Sequence, residues 1–459
     1  MTLIKSISGI RGTIGGKPGT NLTPVDIVEC TAGYGLWIKK RSSSPKVIVG
    51  RDGRITGKMV SELAVNTLLS MGIDVVDLGL STTPTVEVAV TLEDASGGII
   101  FTASHNPKQW NALKFLNEKG EFISAKDGEE ILNYIAEGQL DFVEVDHIGK
   151  LASNDTYIEK HVDMILDLPY VSVDAIRTKN FTVVVDCINS TGAISVPPLL
   201  EKLGCSVHLI NAEITGDFAH NPEPRPEHLK DLANKVVELK ADLGISIDPD
   251  VDRLAFVCED GSMFGEEYTL VAVADSILSK KKGNTVSNLS STRALADVTI
   301  RHGGKYTAAA VGEVNVVTAM KETNAVIGGE GNGGVILPDL HYGRDALAGI
   351  ALMLDLLAEK NISISELKKS YPSYTIVKDK IELTPSIDVD HLLSEVAKIY
   401  QKEKLNTVDG LKIDFDHGWI HMRKSNTEPI IRVYSEAATT EEANQLAQAI
   451  KKEITQILN

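Results

Sequence analysis

One pattern, written three times along the chain, constrains the fold more than any other feature. Lys46-Val47-Ile48-Val49 is a short apolar run followed by the polar stretch Gly50-Arg51-Asp52-Gly53-Arg54, a helical segment from Thr56 to Met71, the stop Gly72, and a second apolar run from Ile73 to Val76. The same order returns as Thr182 to Asp186, a helix through Leu203, Gly204, and Cys205 to Ile210. It returns again as Thr285 to Leu289, Ser290-Ser291-Thr292, a helix to His302, Gly303-Gly304, and Lys305 to Ala310. Short apolar strands alternating with helices closed by glycine imply strand–helix–strand units and a mostly parallel sheet. Three similar α/β domains with mixed, mostly parallel sheets are therefore expected. The end of the chain reads differently. A strand ends at Ile381 to Pro385, an amphipathic helix covers Val389 to Tyr400, strands lie near Leu411–Phe415 and Gly418–Met422, and a helix runs from Thr440 to Leu458. That is an α+β domain with an antiparallel sheet. The expected limits of the four domains are 1–150, 151–257, 258–370 and 371–459.

A chain of 459 residues exceeds one ordinary core, in keeping with several domains. Its 46 Lys and Arg against 63 Asp and Glu leave a net charge of −17, which argues against nucleic acid as a partner. An anionic substrate would then need a local basic patch, because the overall field repels it. Cys30, Cys187, Cys205 and Cys258 are scattered without a C-x-x-C pair, so reduced core thiols are expected. No stretch approaches ~18 uninterrupted apolar residues and the start lacks an apolar leader, so no membrane partner and a cytoplasmic location are expected.

Four segments carry chemistry. The apolar run Gly98-Ile99-Ile100-Phe101 leads into Thr102-Ala103-Ser104-His105-Asn106-Pro107. A serine just past a buried strand, in a turn closed by Asn-Pro, is presented to solvent on a stiff stalk, although an ordinary turn reads the same way. There is no G-x-S-x-G elbow, and adjacent Ser and His side chains are expected to diverge, so a Ser-His-Asp hydrolase fits poorly. The second segment, Asp248-Pro249-Asp250-Val251-Asp252-Arg253, follows the alternating run Leu243, Ile245, Ile247. In an extended backbone its alternate residues share a face, so three carboxylates converge, which is costly without a cation between them. A calcium loop of the helix–loop–helix type fails here, since Arg253 stands where glycine is required and a strand leads in. All-oxygen ligation favours Mg²⁺.

The third segment, Gly328-Gly329-Glu330-Gly331-Asn332-Gly333-Gly334, contains a G-x-G-x-x-G match, but Val335-Ile336-Leu337-Pro338 reads as a strand where a dinucleotide fold needs a helix. A glycine-rich loop between two strands suits close approach to a ligand, with Glu330 and Asn332 offering hydrogen bonds to hydroxyls. The fourth, Arg423-Lys424-Ser425-Asn426-Thr427-Glu428-Pro429 with Arg432 beyond, gathers donors into a phosphate cradle, the basic patch that an acidic chain requires.

Together, in this order, the segments resemble the α-D-phosphohexomutase family over essentially the whole chain. The resemblance rests on T-A-S-H-N-P, D-P-D-V-D-R, G-G-E-G-N-G-G and R-K-S-N-T-E-P, with smaller matches at Gly9-Ile10-Arg11-Gly12 and at Gly50 to Arg54. It implies a heart-shaped, four-domain arrangement and an isomerase that moves a phosphoryl group between two positions of a hexose phosphate through a sugar 1,6-bisphosphate. It also implies that Ser104 carries the transferable group and that Asp248, Asp250 and Asp252, with an oxygen at Ser104, hold Mg²⁺. Arg253 would neutralise charge; Arg11, His105 and Lys114 would line the reaction centre, with Lys114 a general acid or base. Glu330 and Asn332 would grip the sugar, and Arg423, Ser425, Asn426, Thr427 and Arg432 would hold the phosphate that does not react. Hexose 1,6-bisphosphate is the implied activator, a phosphorylated hexose the partner, and monomer or homodimer both remain open. Asn332 and Gly334 stand where many relatives have Ser and His. With His341 to Asp345, this resembles the archaeal type of phosphoglucosamine mutase, which implies glucosamine phosphate as the sugar, with glucose and mannose phosphates as the alternatives. A sugar-phosphate binding protein without turnover, or a metal-dependent phosphatase, are the rival readings.

Overall fold

The computed structural model describes residues 2–6, 9–383, 387–424 and 430–458. The threefold pattern becomes three sheets with one wiring. In the first unit, strand Lys46–Arg51 lies between Asp74–Leu80 and Gly97–Phe101, parallel to both, and Trp110–Leu116 closes the order antiparallel to Gly97–Phe101. The second repeats this with Thr182–Asp186 between Ser206–Ile210 and Leu243–Ile247, and Leu254–Cys258 antiparallel at the edge. In the third, Asn284–Asn288 lies between Tyr306–Ala309 and Ala325–Glu330, with Gly334–Ile336 antiparallel.

The first sheet is extended at both edges to seven strands. Ile4–Ser6 and Gly9–Thr13 add antiparallel beside Trp110–Leu116, and Leu151–Ser153 adds parallel beside Asp74–Leu80. Residues 151–153 thus belong to the first sheet, just beyond the expected limit at 150, and Cys258, the last residue of its strand, lies just beyond the limit at 257. Sequence could not place these edges, because a short exposed strand such as Leu151–Ser153 has no apolar alternation to reveal it.

The central strands Val47–Val49, Val183–Val185 and Leu243–Ile247 are buried, as near-continuous apolar runs covered on both faces by helices must be. The second and third units share one core, which runs from Val183 and Ile245 through Val271 to Leu352 and Leu357. Helix Ala346–Lys360 is buried along most of its length for that reason. Among the described residues, no helix is long and apolar enough to cross a membrane.

The C-terminal unit is an antiparallel sheet ordered Thr375–Glu382, Ile430–Ala437, Gly418–Lys424, Leu411–Phe415, Lys404–Asn406. Helices Val389–Ile399 and Thr440–Leu458 supply Leu392, Val396, Ala447 and Ile454 to its separate core. The four cysteines are free.

Candidate active site

The repeated wiring places three chemical loops at one topological position, the link from the third strand of each unit to its antiparallel fourth. Ser104 follows Gly97–Phe101, Asp248 to Arg253 follow Leu243–Ile247, and the glycine-rich segment follows Ala325–Glu330. Ligand sites belong at the carboxyl ends of such strands.

The structure brings the first two loops into contact. Ser104 Oγ donates to Asp248 Oδ2 at 2.5 Å, and only 6% of Ser104 is exposed. The sequence expects a serine open to solvent; the aspartate loop of the second unit covers it. His105 Nδ1 also comes within 3.4 Å of Ser104 Oγ, although neighbouring side chains were expected to diverge. The reason is local: Ser104 has φ +48°, a left-handed conformation that turns the pair inward, and such strain persists where the surroundings over-determine it. Burial, followed by the charge of Arg253, pushes the His105 imidazole down to about 2, so it remains neutral.

The aspartate loop converges by a different route from the expected one. The strand ends at Ile247 and residues 248–251 form a turn, closed by Val251 N–H to Asp248 O at 3.0 Å, with Val251 at φ +62°. Alternation along an extended strand is therefore not what gathers the carboxylates. The turn brings an oxygen of Asp248, Asp250 and Asp252 within 4.8 Å of one another, and all three side chains are fully buried.

Their hydrogen bonds are unevenly shared. Asp248 Oδ1 accepts the backbone N–H groups of Asp252 and Arg253, each at 3.0 Å. Asp250 Oδ2 accepts Lys114 Nζ at 2.8 Å and Thr83 Oγ1 at 2.5 Å, and Asp252 Oδ2 accepts Arg344 Nη2 at 2.7 Å. Asp250 Oδ1 and Asp252 Oδ1 are buried without a hydrogen-bond partner. Two orphaned carboxylate oxygens beside the Asp248–Ser104 pair fit a hard cation, because a buried anionic oxygen without a donor is otherwise costly. Burial and the charges of Asp252 and Asp250 raise the Asp248 carboxyl well above the usual range. Burial acts the same way on Asp252, but Arg344, Lys114 and Arg253 outweigh it and hold that carboxyl well below the range.

Lys114 lies on Trp110–Leu116, whose neighbour Gly9–Thr13 carries Arg11. Gly9 pairs with Lys114 and Arg11 with Ala112, so the two cations share a sheet face. Arg11 is exposed on its strand, and partial desolvation of its guanidinium, followed by the like charge of Arg253, lowers it from its ordinary value. Arg253 itself pairs through Nη1 with Glu223 at 3.2 Å; among the described residues its buried Nε makes no hydrogen bond and lies 3.9 Å from Asp252 Oδ1.

The sugar segment joins the same site through a residue the sequence reading gave no role. Arg344 is 8% exposed and links three carboxylates: Asp252 Oδ2 at 2.7 Å, Glu330 Oε2 at 2.9 Å and Glu313 Oε2 at 3.0 Å. Glu330 is thereby occupied, since its Oε1 also accepts Asn288 Nδ2 at 2.8 Å and Gly312 N–H at 3.1 Å. Asn332 Oδ1 accepts Gly334 N–H within the loop. Just beyond Arg344, His161 and His341 meet at Asp345: Nε2 of each lies 2.9 and 3.2 Å from Asp345 Oδ2, and His341 Nδ1 lies 3.2 Å from Glu87 Oε2. This cluster ties residues of the first, second and third units together.

In the C-terminal unit, Arg423 pairs across the strands with Arg432, and Arg432 with Lys380, a row of three cations. Arg423 Nη1 is held by Asp409 Oδ2 at 3.2 Å, which also accepts Val311 N–H of the third unit. Ser425, Asn426 and Thr427 lie outside the described residues.

Comparison with known proteins agrees with this arrangement. Family models described as phosphoglucomutase/phosphomannomutase, alpha/beta/alpha domains I, II and III, match residues 3–141, 157–261 and 265–374, and the C-terminal domain model matches 379–453. The chain is 36% identical over 443 residues to the "Phosphoglucomutase/phosphomannomutase" of Thermococcus kodakarensis, covering 95% of this chain and 96% of that protein. It is 33% identical over 451 residues to the "Phosphoglucosamine/phosphogalactosamine mutase" of Sulfurisphaera tokodaii, covering 97% of each. A crystal structure of a phosphoglucomutase/phosphomannomutase family protein from Burkholderia thailandensis superposes with a TM-score of 0.85 at 25% identity, covering 98% of this chain and 96% of that one. With a family match in each of four units and relatives of matching length, the chain belongs to the α-D-phosphohexomutase family and is an intramolecular phosphotransferase, an isomerase of phosphorylated hexoses.

Proposed function

We propose that the protein interconverts a hexose 6-phosphate and the corresponding hexose 1-phosphate through phosphorylated Ser104, with glucosamine phosphate as the preferred sugar. The observation that carries this reading is the 2.5 Å contact between Ser104 Oγ and Asp248, beside two aspartate oxygens and an Arg253 Nε that make no hydrogen bond among the described residues. Phosphoryl transfer asks mainly for alignment and charge neutralisation, which these groups are placed to give. Asp248, Asp250 and Asp252, with an oxygen at Ser104, would hold Mg²⁺, which when bound would neutralise charge on the transferring group. Arg253 and Arg11 add fixed positive charge. Lys114 would exchange a proton with the sugar hydroxyl once freed from Asp250 and Asp252, whose charges outweigh burial and hold its ammonium above the ordinary value, and neutral His105 borders the serine. Arg423 and Arg432, with Ser425, Asn426 and Thr427, would hold the distal phosphate, while Glu330 and Asn332 would read hydroxyls once sugar displaces their present partners.

The reacting sugar would pass through a hexose 1,6-bisphosphate, which also serves as activator by charging Ser104. The preference for glucosamine rests on Asn332 and Gly334 and on relatives named for that sugar; the Thermococcus relative favours glucose and mannose phosphates as the second reading. A cytoplasmic monomer or homodimer fits the composition. Mass spectrometry of the purified protein should find phosphate on Ser104, and Ser104→Ala should abolish isomerisation; full activity in that variant refutes the proposal. Side-by-side rates with glucosamine 6-phosphate, glucose 1-phosphate and mannose 1-phosphate decide the sugar.

A further inference from the structure

The contact between Ser104 and Asp248 joins two separately folded sheets, and the covalent chain does nothing to fix it. Beneath the serine loop, Arg54 is 1% exposed and every N–H of its guanidinium is used. Nη2 donates to Ser104 O at 2.5 Å and to Asn106 O at 2.7 Å, Nη1 to Pro107 O and Trp110 O at 2.9 Å each, and Nε to Asp52 Oδ2 at 3.1 Å. Four anchor points on main-chain carbonyls between Ser104 and Trp110 hold the loop as a template, with the fork geometry that only arginine offers. Asp52 adds a second path: Thr102 Oγ1 donates to it at 2.6 Å and accepts Ser104 N–H at 2.9 Å.

The turn that carries Arg54 is itself bound to the aspartate loop. Gly53 N–H donates to Ser190 Oγ at 2.9 Å, and the same hydroxyl donates to Pro249 O at 2.6 Å, between Asp248 and Asp250. Ser190 is fully buried. The approach is so close that a Cβ on residue 53 would lie 2.9 Å from Ser190 Cα, which accounts for glycine there. A ring of contacts therefore runs from Ser104 through Arg54, Gly53, Ser190 and Pro249 to Asp248, and the hydrogen bond from Ser104 Oγ closes it.

We propose that Arg54 and Ser190 are positioning residues acting as one brace, which sets the Ser104 hydroxyl against the aspartate loop before substrate enters. The proposal rests on the reading of Ser104 as phosphoryl carrier and goes beyond it, since neither residue touches the reacting atoms. In-line transfer is sensitive to displacements of about 1 Å, so loosening the brace slows the chemical step and spares binding of the sugar and its distal phosphate.

The test is the rate at which glucose 1,6-bisphosphate phosphorylates Ser104, followed by rapid quench and mass spectrometry in wild type, Ser190→Ala, Arg54→Lys and the double variant. The expected loss in maximal rate is about tenfold for Ser190→Ala and about a hundredfold for Arg54→Lys, with half-saturation changed by no more than about twofold. Because the two residues act through one chain of contacts, the double variant should be no slower than Arg54→Lys alone. A wild-type rate in Ser190→Ala, losses that multiply in the double variant, or losses confined to half-saturation overturn the brace. If Arg54→Lys does not fold, Ser190→Ala decides by itself. A wild-type protein that takes no phosphate on Ser104 overturns the phosphoserine reading, and the brace with it.

Discussion

Replacing Asp248 by Asn should leave the metal-free protein at least as stable as the wild type while removing its response to Mg²⁺. The three loop carboxylates have oxygens within 4.8 Å of one another in a fully buried turn. At that separation, two full charges repel by about 3.5 kcal/mol at an effective dielectric of about 20. Asp250 and Asp252 have Lys114 and Arg344 as direct partners, whereas among the described residues Asp248 has no ion pair of its own and keeps its proton to well above the usual range. An asparagine Oδ1 can accept the two backbone N–H groups that reach Asp248 Oδ1, and its Nδ2 can donate to Ser104 Oγ, whose own proton then turns toward His105 Nδ1 at 3.4 Å. The net change expected is between zero and about 3 kcal/mol of stabilisation. The sign also fixes the pH dependence. A carboxyl raised in the folded state contributes stability below its unfolded value and loses it as pH rises through the folded one, so wild type should decline with pH more steeply than the variant. The assay is thermal unfolding in EDTA and in excess Mg²⁺. Wild type at about 100-fold excess over Kd gains about 2.7 kcal/mol, and Asp248→Asn should gain almost none. An apoprotein destabilised by more than about 1 kcal/mol, or an undiminished Mg²⁺ response, refutes the electrostatic argument.

Arg344→Met leaves Asp252, Glu313 and Glu330 buried without their shared cation. A loss of about 3–5 kcal/mol in urea unfolding is expected, and a loss below about 1 kcal/mol contradicts the assignment. His341 is pushed down by burial, but its hydrogen bond to Asp345 and the Glu87 carboxylate 3.2 Å from its Nδ1 outweigh this and bring it up to about 10. It therefore contributes stability that is complete below about pH 6.5 and lost as pH rises through about 10, so His341→Gln should flatten the fall in Tm over that window. An equally steep fall in the variant sinks that reading.

Much of the fold could be read from apolar runs and glycine stops. Strand Thr182–Asp186 and helix Thr440–Leu458 lie where the pattern puts them, because local periodicity determines both. The site was legible where residues are adjacent in sequence, as in Asp248 to Arg253. Arg54, Ser190, Thr83 and Arg344 were not, since each acts through a partner 50 or more residues away, set by the fold of one unit for Arg54 and Ser190 and by the packing of units for Thr83 and Arg344. The burial of Ser104 escaped the sequence for the same reason: the cover comes from another sheet. The inward turn of His105 escaped because a left-handed serine leaves no compositional trace.

The shared strand order has a practical corollary. Each unit contributes its chemistry from one short link between a buried strand and its antiparallel neighbour, and the link in the third unit is only residues 331–333. Its backbone is pinned at Gly333 O by Leu254 N–H, and a Cβ at 331 or 333 would run into Glu267 or the Leu254 backbone, so Asn332 is the one side chain that the link carries. On the proposed reading, sugar preference would rest on Asn332 and its flanking residues Glu330 and Gly334, while the groups that move phosphate stay on two other scaffolds.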